Sequence, residues 1–165
     1  MKLIRKFIYI FTFIISVSFL SACSTQSKDS VELVKHYGQD KVDEMKVKCT
    51  DEKQLEVANS LVKKAKQIMS YTGSKEKADI NNCGALKKYY FFNQGSYQDA
   101  KSAEIKIELI TTKQKKGKGY IWIKYSSSYY DQNNQIIVAS TDVISRWSIA
   151  MKNGEWTVTD INEMS

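Results

Sequence analysis

Three cysteines, one histidine, eighteen acidic side chains and four closely spaced lysines are the groups in this 165-residue chain with chemistry to offer. Cys23 follows Leu20-Ser21-Ala22 at the end of a greasy segment, and its thiolate is the strongest nucleophile available there. Cys49 and Cys83 are left as a pair. In an oxidising compartment they can close a disulfide, which on the chain-entropy account contributes about 3–4 kcal/mol. The alternative is two separate thiols, because a helix of about 20 residues after Cys49 carries the chain roughly 30 Å away. Only about ten residues then remain to return it, and they must be nearly extended. His36 has no cysteine or second histidine at ligand spacing, so neither zinc nor another metal is expected. Ser60-x-x-Lys63 has the outline of a serine nucleophile with a lysine base, but it falls in mid-helix without partner motifs. A glycine-rich phosphate loop, a Gly-x-Ser-x-Gly elbow and a His-Glu-x-x-His helix are all missing from the sequence. Lys113, Lys115, Lys116 and Lys118 fall at a predicted hairpin tip. Ammonium groups there can touch an anionic surface, or simply keep a strand edge soluble. Glu104, Glu108, Asp142, Arg146 and Asp160 alternate with apolar residues as a solvated face does, and none stands out as a desolvated base.

The segment before Cys23 has a basic start (Lys2, Arg5, Lys6), an apolar run from Phe7 to Leu20 and small residues at Ser21 and Ala22. That reads as a secretory signal peptide over residues 1–22. The apolar run is shorter than the roughly 20 residues needed to span a bilayer. Leu20-Ser21-Ala22-Cys23 also resembles the bacterial lipoprotein box. The resemblance implies that the Cys23 thiol carries diacylglycerol, that Cys23 becomes the mature N-terminus, and that the protein is lipid-anchored on the extracytoplasmic face of the cell membrane. Two acyl chains give stable anchoring where one is marginal. Residues 23–30 contain no large apolar side chain and read as a flexible tether. The formal charge of +7 shrinks accordingly, since setting aside Lys2, Arg5 and Lys6 leaves 22 basic against 18 acidic residues. A nucleic-acid partner is therefore not expected.

Residues 31–165 are long enough for one domain with a single core. A short helix from Ser30 to Tyr37 ends at Gly38. The clearest element follows: Thr50 as cap, Asp51 and Glu52 in the first turn, and Leu55, Ala58, Leu61, Val62, Ala65, Ile68 and Met69 as one apolar stripe before Gly73. Ala85–Phe92 reads as a short helical turn. Its consecutive aromatics cannot all face one way, so Tyr89, Tyr90 and Phe92 are candidates for a core or for the wall of a ligand groove. Beyond Gly95 the period changes to alternation. Strands are expected over residues 102–109, 120–130, 135–151 and 156–161, joined by turns at Lys113–Gly119, Asp131–Asn134 and Asn153-Gly154. The apolar parity of the third run changes between Val138 and Val143, which predicts a bend or bulge.

A long amphipathic helix followed by a curved antiparallel meander ending in Trp156-x-Val158-x-x-Ile161 resembles the nuclear-transport-factor-2-like cone. The resemblance implies an α+β fold with a long N-terminal amphipathic helix packed on a curved four-stranded meander. It implies no single activity, since that cone serves enzymes, ligand binders and assembly domains alike. Enzymatic members carry an Asp-His pair or several carboxylates in the cone mouth, and this chain has no histidine after His36. The expected function is a non-enzymatic binding or assembly module at the cell envelope, in a secretion or conjugation system, with an envelope protein or a small ligand as partner and no cofactor. The alternative is a small-molecule enzyme of the cone superfamily using a carboxylate base.

Overall fold

Helical periodicity fills the first half of the chain and alternation the second. The computed structural model, which describes residues 28–73, 83–92 and 95–164, keeps that division. Helices α1 (Lys28–Tyr37), α2 (Gln39–Lys46) and α3 (Glu52–Met69) precede two 3-10 turns, Gly84–Tyr89 and Gly95–Asp99. Strands β1 (Ser102–Lys115), β2 (Lys118–Tyr130), β3 (Ile136–Lys152) and β4 (Glu155–Met164) form one antiparallel sheet in chain order. The fold is α+β with a four-stranded antiparallel meander. Among the described residues no helix is long and apolar enough to cross a membrane. The signal segment, the box ending in Cys23 and residues 24–27 lie outside the described residues. Lys28–Ser30, expected as tether, form the start of α1.

Among the described residues the long amphipathic helix is the third rather than the second. Its cap is Asp51, not Thr50: the Asp51 carboxylate accepts the Gln54 amide at 3.1 Å, and an anion suits the positive end of the helix dipole. Ala58, Leu61, Ala65, Ile68 and Met69 of the expected stripe are buried against the sheet. Gly38 ends the first helix as expected and, at φ 87°, turns the chain into α2, which the sequence reading passed over. The predicted helical turn at 85–92 is a 3-10 turn that stops at Tyr89. Gly84 opens it at φ +57°, pressed so closely on the Val158 carbonyl of β4 that no side chain fits.

β1, β2 and β4 run further than alternation alone suggests, β3 keeps its expected length shifted by one residue, and bulges absorb the changes of parity. On β3 the shift falls opposite Ser126, where Asp142 takes φ 52° and its amide donates to the Ser126 hydroxyl at 3.0 Å. On β4 the shift opposite Ser148 and Ile149 explains why Val158 and Ile161 are three apart yet both pack on the core. On β1 it falls between Leu109 and Thr111. The turn expected over Lys113–Gly119 shrinks to Lys116-Gly117, both at positive φ, and Asn153-Gly154 repeats that geometry.

The sheet is covered on both faces. The inner face carries Ile105, Ile121, Ile123, Tyr125, Tyr129, Trp147, Ile149 and Val158 beneath α3 and the 3-10 turns. Trp122 points the other way, as strand alternation requires, and is enclosed with Tyr37 and Val42 by α1 and α2. The single core expected from the sequence is thus divided into two clusters, one on each face of the sheet.

Candidate functional site

The inner face converges on Tyr89, which is fully buried. Its hydroxyl donates to Glu163 Oε1 at 2.6 Å, accepts from Trp147 Nε1 at 2.9 Å, and lies 3.1 Å from the Ser145 hydroxyl. Lys88 reaches the other oxygen of Glu163 at 3.2 Å, with the Glu163 side chain 13% exposed. Burial pushes the Tyr89 and Tyr125 phenols well above the ordinary tyrosine range, and the Glu163 charge beside them pushes the same way. Tyr129 donates to the Met69 carbonyl at 2.8 Å and is likewise raised by burial. Edge-to-face and tilted contacts tie Tyr89 to Phe91, Tyr125 and Trp147. These groups hold one another: among the described residues no buried side-chain nitrogen or oxygen lacks a partner. Glu163 is the carboxylate at the inward-facing positions of the described strands, and it already serves two phenols and an ammonium. The sequence reading missed it because it ended the last strand at Ile161.

The predicted aromatics separate. Tyr89 is core, whereas Tyr90 and Phe92 join Tyr71 in a half-buried cluster at the end of α3, with Tyr71 and Tyr90 stacked at 5.4 Å and Tyr71 edge-on to Phe92 at 5.3 Å. No disulfide joins Cys49 to Cys83: the Cys49 thiol lies 3.8 Å from the Asp51 carbonyl, while Cys83 is buried at the entry to the first 3-10 turn. His36 is exposed and its Nε2 lies 2.8 Å from the Asn162 side-chain oxygen. The described residues hold no group of histidine, cysteine or acidic side chains suited to a metal. Ser60 and Lys63 are exposed on α3.

Glu104, Glu108, Asp142 and Asp160 are solvent-facing, as expected. Arg146 is not: its guanidinium grips Glu44 of α2 through Nε at 2.8 Å and Nη2 at 3.1 Å, and lies over the Tyr120 ring at 5.0 Å. Trp122 Nε1 donates to the same carboxylate at 3.1 Å. Neighbouring Tyr37 donates to the Ile144 carbonyl at 2.7 Å and accepts the Met164 amide at 3.0 Å. A fork of two parallel bonds is the strong form of such a pair, and it pins α2 to the outer face. The clue in the sequence was Tyr120-Ile121-Trp122-Ile123, whose unbroken apolar run marks a strand covered on both faces.

Lys113, Lys115, Lys116 and Lys118 are all exposed, and the structure brings them together at one end of the sheet. The chain matches no described protein family and no curated protein. Among solved structures it is similar to the crystal structure of the intermembrane space region of chloroplast protein ARC6, with 15% identity and a TM-score of 0.44 over 67% of this chain and 95% of that one.

Proposed function

We propose that this chain is a lipoprotein anchored through diacylglycerol on Cys23 at the extracytoplasmic face of the cell membrane, and that its folded domain is a non-enzymatic binding or assembly module with an envelope partner. The supporting observation for the second half is the filled inner face. Where a catalytic module of a cone-like fold needs an open mouth with spare ionisable groups, here Tyr89 and Trp147 are fully buried and the carboxylate beside them is engaged by Tyr89, Tyr125 and Lys88. The anchoring half is supported by the residues around Cys23 and by their order of basic, apolar and small segments.

Growth of expressing cells with labelled palmitate tests the anchor: wild type should carry label and sediment with membranes, and Cys23→Ala should do neither. Label retained by the variant would end the lipoprotein reading. In-cell crosslinking of the lipidated form should then give one defined heteromeric species at the membrane.

A second reading has one observation in its favour, the carboxylate Glu163 facing inward among phenols. A small-molecule enzyme would use it as base, and Glu163→Gln would then abolish turnover while leaving the crosslinked species intact. Loss of the species instead, with no turnover to lose, belongs to the binding reading.

A further inference from the structure

Both two-residue hairpin turns lie at the same end of the sheet, because the Met151 amide donates to the Gly117 carbonyl at 2.8 Å and so ties the β3–β4 hairpin to the β1–β2 tip. That end collects more than the sequence cluster promised. Register sets Lys115 opposite Lys118 and Lys113 opposite Tyr120, so Lys113, Lys115 and Lys118 share the outer face, with Lys116 at the tip itself. The second hairpin adds Lys152, paired in register with Glu155. Among the described residues, other acidic groups toward this end are Asp51, the cap of α3, Glu52, where Gln54 meets Gln114, and Glu44, which acts on Tyr120 but is held by Arg146 and Trp122. None of the ion pairs among the described residues engages any of the five lysines. Beside Gly117 at the tip Met151 is 48% exposed, on the strand face opposite to Lys113, Lys115 and Lys118, and its cross-strand partner Trp156 packs on the inner core.

The geometry points to this end of the sheet as a docking surface for a bilayer rich in anionic phospholipid. Flexible ammonium groups supply charge without demanding one fixed geometry, which suits a fluid array of headgroups. The exposed Met151 thioether at the same tip suits the apolar boundary beneath those headgroups, a contact that a soluble polyanion does not offer. This inference takes from the anchoring reading only that a membrane is within reach. Docked in this way, the module would hold one orientation on the membrane instead of tumbling on its leash.

The test uses the full lipidated chain reconstituted into vesicles of phosphatidylcholine or of phosphatidylglycerol, read by flotation and by amide hydrogen exchange. Flotation on phosphatidylcholine reads the anchor alone. The difference in exchange between the two lipids reads the docking surface alone, so the two ideas fail separately. We expect residues 113–118 and 150–156 to exchange several-fold more slowly on phosphatidylglycerol, with the protection fading as salt rises past about 0.3 M and the Debye length falls well below about 10 Å. Each lysine near such a surface is worth about fivefold in partitioning. Removing two charges by Lys115→Ala with Lys116→Ala should therefore weaken the difference about 25-fold, to the phosphatidylcholine baseline. Met151→Ser should weaken it by a smaller factor that salt does not change. Equal exchange on the two lipids, insensitivity to the double substitution, or the same protection from soluble polyphosphate without vesicles would each overturn the proposal.

Discussion

The inner face of the sheet is closed by bulk, with Trp147, Tyr89, Tyr129, Ile121 and Ile123 buried beneath an 18-residue helix and two 3-10 turns. The outer face is closed over three buried side chains, Tyr37, Val42 and Trp122, and the two short helices that cover it are held by contacts at named polar atoms. Apolar area is non-directional and adds up with size, so the first arrangement resists local opening. Paired polar groups depend on their partners staying in place, so the second can open as a unit while the sheet survives. β4 stitches the two together: Glu163 faces the inner network, while Asn162 meets His36 and the Met164 amide meets Tyr37 on the outer side.

Four substitutions or conditions put that contrast at risk, in order of expected size. Trp147→Ala removes a fully buried indole and should cost about 3–5 kcal/mol, lowering the urea midpoint of the entire chain in one transition. Melting confined to residues 28–46 would invert the comparison. Tyr89→Phe keeps the ring but leaves Trp147 Nε1 without its acceptor, Ser145 without one partner and Glu163 without one of its donors. A loss of about 1–3 kcal/mol, again global and with an unchanged denaturant slope, is expected from chemical denaturation.

Glu44→Ala acts on the other face. The pair is partly exposed (16% for Arg146, 25% for Glu44), which moderates the effect, and about 1–2 kcal/mol should appear locally. Hydrogen exchange would show it as faster exchange over residues 28–46 with residues 102–164 unchanged. Replacing both partners, Glu44→Leu with Arg146→Met, should restore part of the protection, because it removes the orphaned guanidinium while the Trp122 indole still lacks its acceptor. Speeding of exchange across the sheet in Glu44→Ala would show that the two faces do not open independently.

The smallest effect is alkaline. Burial first, and the Glu163 charge after it, push the Tyr37 phenol up to about 12 against an ordinary value of 10.0. The folded chain keeps a proton that the unfolded chain gives up, so this contribution is complete below about pH 10 and drains away between about pH 10 and pH 12. Exchange over residues 28–46 should therefore accelerate through that window, and Tyr37→Phe should flatten the slope. Tyr89, Tyr125 and Tyr129 are raised in the same sense, so the inner core should weaken with alkali too, in both proteins alike.

Much of this architecture could be read from residue order. The α3 stripe, the four strands, their turns and the parity change in β3 follow from period and turn chemistry, because helix and strand geometry impose those spacings directly. Helix α2 did not follow, since Val42 and Met45 are its apolar residues and its burial comes from a strand some 80 positions later, the Glu44 to Trp122 and Arg146 contacts being tertiary. Asp51 was seen as a first-turn anion but not as the cap, a one-residue ambiguity usual where two capping residues adjoin. Glu163 escaped for a similar reason. Its role depends on β4 running on to Met164 and on Tyr89 arriving from a 3-10 turn, neither of which local pattern encodes.

The position of α1 and α2 in the chain has a mechanical side. Residue 28 is where the described fold begins, so any pull on the preceding residues loads His36, Tyr37 and the Glu44–Arg146 fork before it reaches a single inter-strand bond. Those few contacts are a yield point in series with a stiff sheet. A force-extension record should show residues 28–46 paying out about 65 Å of chain in one early step, while the four strands hold until a higher force.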